Sequence, residues 1–198
     1  FVCRLRGSHG WGAKTEGSLY EPYHQPGGIW MAGVDNYIRN NVVANVMDPL
    51  LKGSGYVFQG KWRGNLPEPV LEFSGNEVYG AVLNALAVWN LGTATDDPHE
   101  LPGFGESIIK DLRYWHVTNY GIYTYDVNRL TLDGMVGRGD PSLGQYENLC
   151  LGFFGDNYTL FHTRLRNCDL QGLSAAIKPG NINDEDFAVD NCYLDCRA

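Results

Sequence analysis

The residues with the most obvious capacity for chemistry form an aromatic run in the middle of the chain. We predict that a sugar ring would stack on Trp115, Tyr120, Tyr123 and Tyr125. Side chains alternate along a β-strand, so a strand with Ile122 facing the core would expose Tyr123 and Tyr125 on its other face. Aromatic faces stack on sugar rings and Tyr hydroxyls add hydrogen bonds. The run predicts a carbohydrate-binding surface. The equal alternative is an outer sheet face that carries these aromatic residues without binding a ligand, or one that contacts a neighbouring domain.

Acid–base chemistry has weaker candidates in the same part of the chain. His116 and Asp126 are close enough in sequence to lie on adjacent sides of one coil, where a His with a carboxylate partner can act as acid or base. Asp126, Asp133 and Asp140 are candidates for the paired carboxylates of a glycosidase. Glycoside hydrolysis requires a defined distance between the two carboxyl groups. A lone His in a strand is more often a structural hydrogen-bonding residue, so a structural role for His116 is favoured.

Two acidic clusters are the candidates for a metal site. They are Asp96 and Asp97, and the run Asp184, Glu185 and Asp186. Carboxylate oxygens suit Ca²⁺, but neither cluster has the spacing of an EF-hand loop. Solvated loops explain both clusters, so we expect no cofactor and keep Ca²⁺ as the alternative.

The elements that must position these side chains are indicated by a short phrase that recurs six times. Each phrase has an apolar residue, a spacer, a small polar or Gly residue, and another apolar or aromatic residue further on. The small residues are Asn40, Gly75, Asp111, Gly134, Asn167 and Asn191. Their spacing of roughly 20 to 36 residues is typical of one structural unit that recurs with variable loops.

The phrase predicts an all-β fold, a right-handed parallel β-helix (solenoid) with long loops. Its first and last apolar positions would point inward, its spacer outward, and its Asn or Gly would form a bend in left-handed backbone geometry. Stacked Asn side chains would also pair their amides as a ladder. We expect residues 1–198 to form a single segment, with long loops at 7–35, 52–69 and 91–105.

Composition excludes several classes of function. The net charge of −8, with scattered Lys and Arg, argues against nucleic-acid binding. No apolar run approaches the ~20 residues of a membrane span, so no membrane insertion is expected. The chain opens at Phe1 in a strand-like sequence, and we therefore expect further N-terminal coils or a cap in a longer polypeptide.

The five cysteines do not have the spacing of a zinc site. Cys168 and Cys192 occupy the same position in successive phrases, which predicts that they stack about 4.8 Å apart. Buried thiols are the favoured interpretation, with a disulfide as the alternative in a secreted protein.

The segments 35–44, 70–81 and 109–117 resemble secreted bacterial right-handed parallel β-helix proteins. They are similar to the β-helix region of the G8-domain family, which includes fibrocystin and the cell-migration-inducing hyaluronan-binding protein. The resemblance covers roughly residues 28–140 and implies a fold. It implies no catalytic residue, and the G8 domain itself is not visible, so hyaluronan binding does not carry over.

These observations favour an extracellular or cell-surface β-helix module that presents a face to a polysaccharide or a neighbouring protein domain. A polysaccharide lyase or glycoside hydrolase on the same scaffold is the first alternative. A purely structural segment of a surface assembly is the second. We expect function in the long loops or on the aromatic face near Trp115.

Overall fold

The computed structural model describes residues 2–6, 27–31, 33–47, 53–59, 66–92, 103–139, 151–155, 160–179 and 186–196. The strands in chain order are β1 (Val2–Arg6), β2 (Gly27–Met31), β3 (Tyr37–Arg39), β4 (Val42–Met47), β5 (Ser54–Gln59), β6 (Glu72–Ser74), β7 (Glu77–Tyr79), β8 (Asn84–Leu91), β9 (Ser107–Lys110), β10 (Arg113–Trp115), β11 (Tyr120–Asn128), β12 (Leu130–Asp133), β13 (Val136–Arg138), β14 (Leu151–Gly155), β15 (Leu160–Phe161), β16 (Thr163–Arg166), β17 (Asp169–Leu173), β18 (Ala175–Lys178), β19 (Phe187–Asp190) and β20 (Tyr193–Cys196).

The strands form three parallel sheets that the chain visits in a fixed order. Sheet I has the order β1-β4-β7-β10-β13-β17-β20, and sheet III has the order β19-β16-β12-β9-β6-β3. Sheet II has the order β18-β14-β11-β8-β5-β2, with β15 also paired to β11. Each passage through the three sheets, called a circuit below, returns one strand further along every sheet. The all-β prediction is confirmed, and the topology is consistent with a parallel β-helix.

One hydrophobic core receives side chains from all three sheets. Sheet III contributes Ile38, Phe73, Ile109, Leu132 and Leu165, which share one register column. Sheet I contributes Val43, Val78, Tyr114 and Leu170, and sheet II contributes Tyr56, Leu86, Ile122 and Phe153. These columns hold the first and last apolar positions of four phrases, which confirms their predicted inward orientation. In the fourth phrase Gly137, not Val136, is the register partner of Tyr114, and in the last phrase Val189 and Leu194 are exposed, so the prediction is wrong at these positions.

The small residue of each phrase is the bend between sheets III and I. All six adopt left-handed backbone geometry: Asn40 (φ 52°), Gly75 (φ 63°), Asp111 (φ 51°), Gly134 (φ 71°), Asn167 (φ 54°) and Asn191 (φ 48°). Gly, Asn and Asp visit this region at the least cost, which explains why the position holds these residue types. The prediction that the phrase turns the chain is confirmed.

Side chains at this bend form part of the predicted ladder. The amide of Asn191 donates to Asn167 Oδ1 at 2.8 Å, and the amide of Asn167 donates to Asp133 Oδ1 at 2.8 Å. One residue further on, the buried Asn76 accepts from the backbone N–H of Asn41 at 3.0 Å. Hydrogen bonds along the stack therefore join neighbouring circuits in addition to the sheet hydrogen bonds.

Two of the predicted loops contain strands of sheet II. β2 lies within 7–35 and β5 lies within 52–69, so the prediction that these stretches are loops throughout was wrong. Their Gly residues suggested turns, yet Gly28 and Gly55 are needed for packing. A Cβ on Gly28 would lie 2.3 Å from Val43 Cγ1, and one on Gly55 would lie 2.5 Å from Val78 Cγ2. The remaining parts of these loops, and most of 91–105, are outside the described residues.

Cys168 and Cys192 are stacked as predicted, but only Cys168 is buried and Cys192 is half-buried, so the prediction of two buried thiols is wrong for Cys192. The backbone N–H of Cys168 points to Cys192 Sγ at 3.4 Å, and both residues are thiols. No helix among the residues that the structure describes is long and apolar enough to cross a membrane.

Candidate functional site

The outer face of sheet I carries an aromatic and polar column with one residue from each circuit. Strand register places Tyr79 beside Trp115, Trp115 beside Arg138, and Arg138 beside Gln171. These side chains point away from the core because their predecessors in each strand, such as Val78 and Tyr114, point into it.

Trp115 lines a shallow groove, and the Tyr79 ring packs beside it. The ring centroids of Tyr79 and Trp115 are 5.6 Å apart with an interplanar angle of 48°. Tyr79 is 37% exposed and Trp115 is half-buried. A cavity of about 330 Å³ lies beside them and is lined by Trp115, His116, Arg138 and Gly139. We call Tyr79, Trp115, His116, Arg138 and Gly139 the sheet I groove.

Hydrogen bonds hold the polar side of the groove in place. Arg138 Nη2 donates to Asp169 Oδ2 at 2.6 Å, and Arg138 Nη1 donates to the backbone carbonyl of Asp169 at 2.9 Å. The amide of Gln171 donates to Asp169 Oδ1 at 2.7 Å. Partial burial alone would raise the pKa of Asp169, but the bonds from Arg138 and Gln171 lower it. The guanidinium and the carboxylate are therefore fixed, charged groups beside an aromatic wall.

His116 lies in the groove at a bend of the chain. Its φ of 52° matches Asn45 (φ 55°) and Gly80 (φ 70°), which occupy the same bend in earlier circuits. The His116 and Tyr79 rings meet edge to face, with centroids 5.2 Å apart. Backbone geometry and ring packing account for this position without a catalytic role.

Asp126 is not brought to His116. β11 separates them, and its stretch from Tyr120 to Tyr125 spans roughly 16 Å at about 3.3 Å per residue. Asp126 has a φ of 50° and lies opposite Asn90, which has a φ of 52°. The predicted pairing of His116 with Asp126 on adjacent sides of one coil is therefore wrong, because each residue serves a different bend.

The three candidate tyrosines lie on sheet II, apart from Trp115 on sheet I. Ile122 faces the core as predicted, and Tyr123 points outward but is only 8% exposed. Tyr123 packs in a second cluster with Val57, Ala87 and Trp89. Tyr120 and Tyr125 are half-buried at its margin, and the Tyr125 and Trp89 rings stack with centroids 4.8 Å apart. The predicted exposure of Tyr123 is wrong because this outer face of sheet II is covered.

Asp133 takes part in a contact between circuits. Its carboxylate accepts from Asn167 Nδ2 at 2.8 Å and forms an ion pair with Arg166 at 3.1 Å. These neighbours, Asn167 first, lower the pKa of Asp133. A general acid needs a raised pKa, so the surroundings of Asp133 suit a structural anion.

The remaining candidates divide between described and undescribed parts of the chain. Asp140, Asp96, Asp97, Asp184 and Glu185 lie outside the described residues. Asp186 is described, and its Oδ1 lies 2.5 Å from His162 Nδ1. Across the described ranges, no group of three or more His, Cys, Asp or Glu side chains could hold a metal ion.

Sequence reasoning missed Tyr79, Arg138, Asp169 and Gln171, although the signal was present. The fourth residue after each bend is Ala44, Tyr79, Trp115, Arg138, Gln171 and Asp195, one in each circuit. Counting this fixed offset along all six phrases would have placed Tyr79 beside Trp115 and Arg138. A search for aromatic residues that are close in sequence instead selected the tyrosines of the covered sheet.

No protein-family model, curated protein or solved structure matches this chain. The resemblance to the β-helix region of the G8-domain family therefore stays a prediction.

Proposed function

We propose that this chain is an extracellular or cell-surface β-helix module that binds carbohydrate in the sheet I groove. The observation that carries the proposal is the Tyr79–Trp115 pair beside the fixed Arg138–Asp169–Gln171 network. Apolar sugar faces stack on aromatic rings, while sugar hydroxyls both donate and accept hydrogen bonds. A guanidinium, a carboxylate and an amide next to an aromatic wall offer both kinds of partner.

The strand order supports an extended glycan as the ligand. Circuits repeat along sheet I, so the column of outward side chains continues in the direction that joins successive strands, at about 4.8 Å per strand. A polysaccharide chain lying along this direction would meet Tyr79, Trp115, Arg138 and Gln171 in turn. A single sugar would use only part of this column.

We infer further that the three sheets close into a right-handed solenoid. The support is that parallel strands of one sheet joined by a crossover are right-handed in about 98% of cases. The described returns to sheet I are such crossovers, since β4, β7 and β10 are parallel neighbours joined through sheets II and III.

A polysaccharide lyase or hydrolase on this scaffold is the second candidate function. A pocket of about 220 Å³ on sheet III favours it, because Glu106 and the contacting His162–Asp186 pair line this pocket together. A His oriented by a carboxylate, with a second carboxylate in the same pocket, is an arrangement suited to proton transfer.

A glycan array combined with product analysis tests the proposal. If the chain is a binding module, it should retain at least one polysaccharide class and produce no new reducing ends and no unsaturated products. Release of either product would favour the enzyme. Absence of binding to every polysaccharide would reject the carbohydrate-binding function and leave the structural role in a surface assembly.

A further inference from the structure

We infer that Cys168 and Cys192 form a thiol pair that a small-molecule disulfide oxidises to a covalent cross-link between the last two described circuits. This inference is independent of the proposed function. The two cysteines lie at the bends between sheets III and I in the last two described circuits. Tyr79 lies in an earlier circuit.

Strand register places the two cysteines directly above one another. The residues before them are joined by the hydrogen bond from Asn191 to Asn167, and the residues after them, Asp169 and Tyr193, are register partners. The backbone N–H of Tyr193 donates to the carbonyl of Cys168 at 2.8 Å. Neighbouring strands lie about 4.8 Å apart, within the Cα separation of about 4.4–6.8 Å that disulfides span.

The two thiols differ in access. Cys168 is 1% exposed, and burial raises the pKa of its thiol to about 12. Cys192 is half-buried, and its sulfur accepts the N–H of Cys168 at 3.4 Å. Cys192 is the more accessible of the two thiols, so it is the one that meets the reagent first.

Oxidised glutathione is the oxidant in this thiol–disulfide exchange. The Cys192 thiolate attacks one glutathione sulfur, and the S–S bond of the reagent breaks to release one glutathione thiol. Cys168 then loses its proton to solvent as its sulfur attacks Cys192 Sγ, which expels the second glutathione. Two protein thiols are oxidised and one glutathione disulfide is reduced to two thiols.

Peptide mapping after incubation with oxidised glutathione tests the inference. Cleavage on the N-terminal side of each Asp places Cys168, Cys192 and Cys196 in separate fragments, 156–168, 190–194 and 195–198. We expect fragments 156–168 and 190–194 to be joined, with the mass of two hydrogens lost, and to separate again after reduction.

Matched serine variants control for the position of the cross-link. Cys196→Ser is expected to keep the joined fragments, and Cys192→Ser to abolish them. The oxidised wild type should melt at a higher temperature than oxidised Cys192→Ser, because the cross-link restricts the unfolded chain. A link from Cys192 to any other cysteine, or a mixed disulfide that stops at Cys192, would overturn the inference.

Discussion

Two carboxylates in the described contacts between circuits have neighbours that stabilise their charge. Asp133 accepts from Asn167 and faces Arg166, while Asp169 accepts from Arg138 and Gln171. Asp133, a candidate for acid–base chemistry, thus serves to join circuits. A charged partner one strand away explains an Asp at such a position as well as a catalytic role would.

The pKa of Asp133 gives a prediction at this scale. Because its folded pKa is lowered, Asp133 contributes stability that is present above the unfolded pKa of about 3.9 and is lost as the pH falls through the folded pKa. Asn167→Ala removes the hydrogen bond that lowers the pKa of Asp133 most, so this pKa should rise towards its ordinary value. Carboxyl-detected NMR titration measures the shift.

Asn40→Ala is the control for this titration. Asn40 occupies the same bend with a similar φ, so both variants lose the same backbone preference. Asn40→Ala should leave Asp133 unchanged. Equal pKa values for Asp133 in the wild type and in Asn167→Ala would show that the amide does not stabilise the carboxylate.

At the scale of the elements, small residues on one strand make room for a large ring on another. Tyr114 is fully buried, and a Cβ built on Gly137 would lie 2.3 Å from its Cζ atom. The two residues are register partners in β10 and β13. Neighbouring circuits are therefore fitted to each other through the volumes of stacked side chains.

We predict that Gly137→Ala lowers the free energy of unfolding by about 1–3 kcal/mol, the usual cost of overpacking a core. Tyr114→Leu should reduce that penalty in the double variant, since the nearest atoms to the new Cβ all belong to Tyr114. Denaturant unfolding of the wild type, the two single variants and the double variant measures this change in the penalty. Gly33→Ala, with no atom within 4 Å of the new Cβ, is the matched control. Strict additivity of the two changes would contradict the packing account.

The elements also show how much the sequence could predict. The recurring phrase has its bend and its inward positions at fixed offsets, so sheets I and III could be located from it. Sheet II could not, because its strands follow the bends at variable distances, as β5 and β8 show, and because β2 and β5 contain Gly residues that suggest turns. The candidate site was missed in part for a related reason, since Tyr79 and Trp115 are 36 positions apart in sequence and become neighbours only through the register.

At the scale of the whole molecule, stability should decrease from the central circuits towards β20. In a repeat fold each circuit is stabilised by its neighbours on both sides, and β20 has one described neighbour in sheet I. We predict slower amide hydrogen exchange at Val78 and Tyr114 than at Tyr193 and Leu194, measured by NMR. Equal protection in the two regions would indicate a single cooperative unit and contradict this gradient.

Carbohydrate binding by the sheet I groove is the central claim for the molecule, and calorimetric titration with an oligosaccharide selected on the array tests it most directly. We predict that Trp115→Ala and Tyr79→Ala each weaken binding at least about tenfold, equivalent to about 1.4 kcal/mol. Tyr37→Ala, which removes a 63% exposed aromatic side chain from sheet III, should bind like the wild type. Unchanged affinity in Trp115→Ala and Tyr79→Ala, or an equal loss in Tyr37→Ala, would contradict the account.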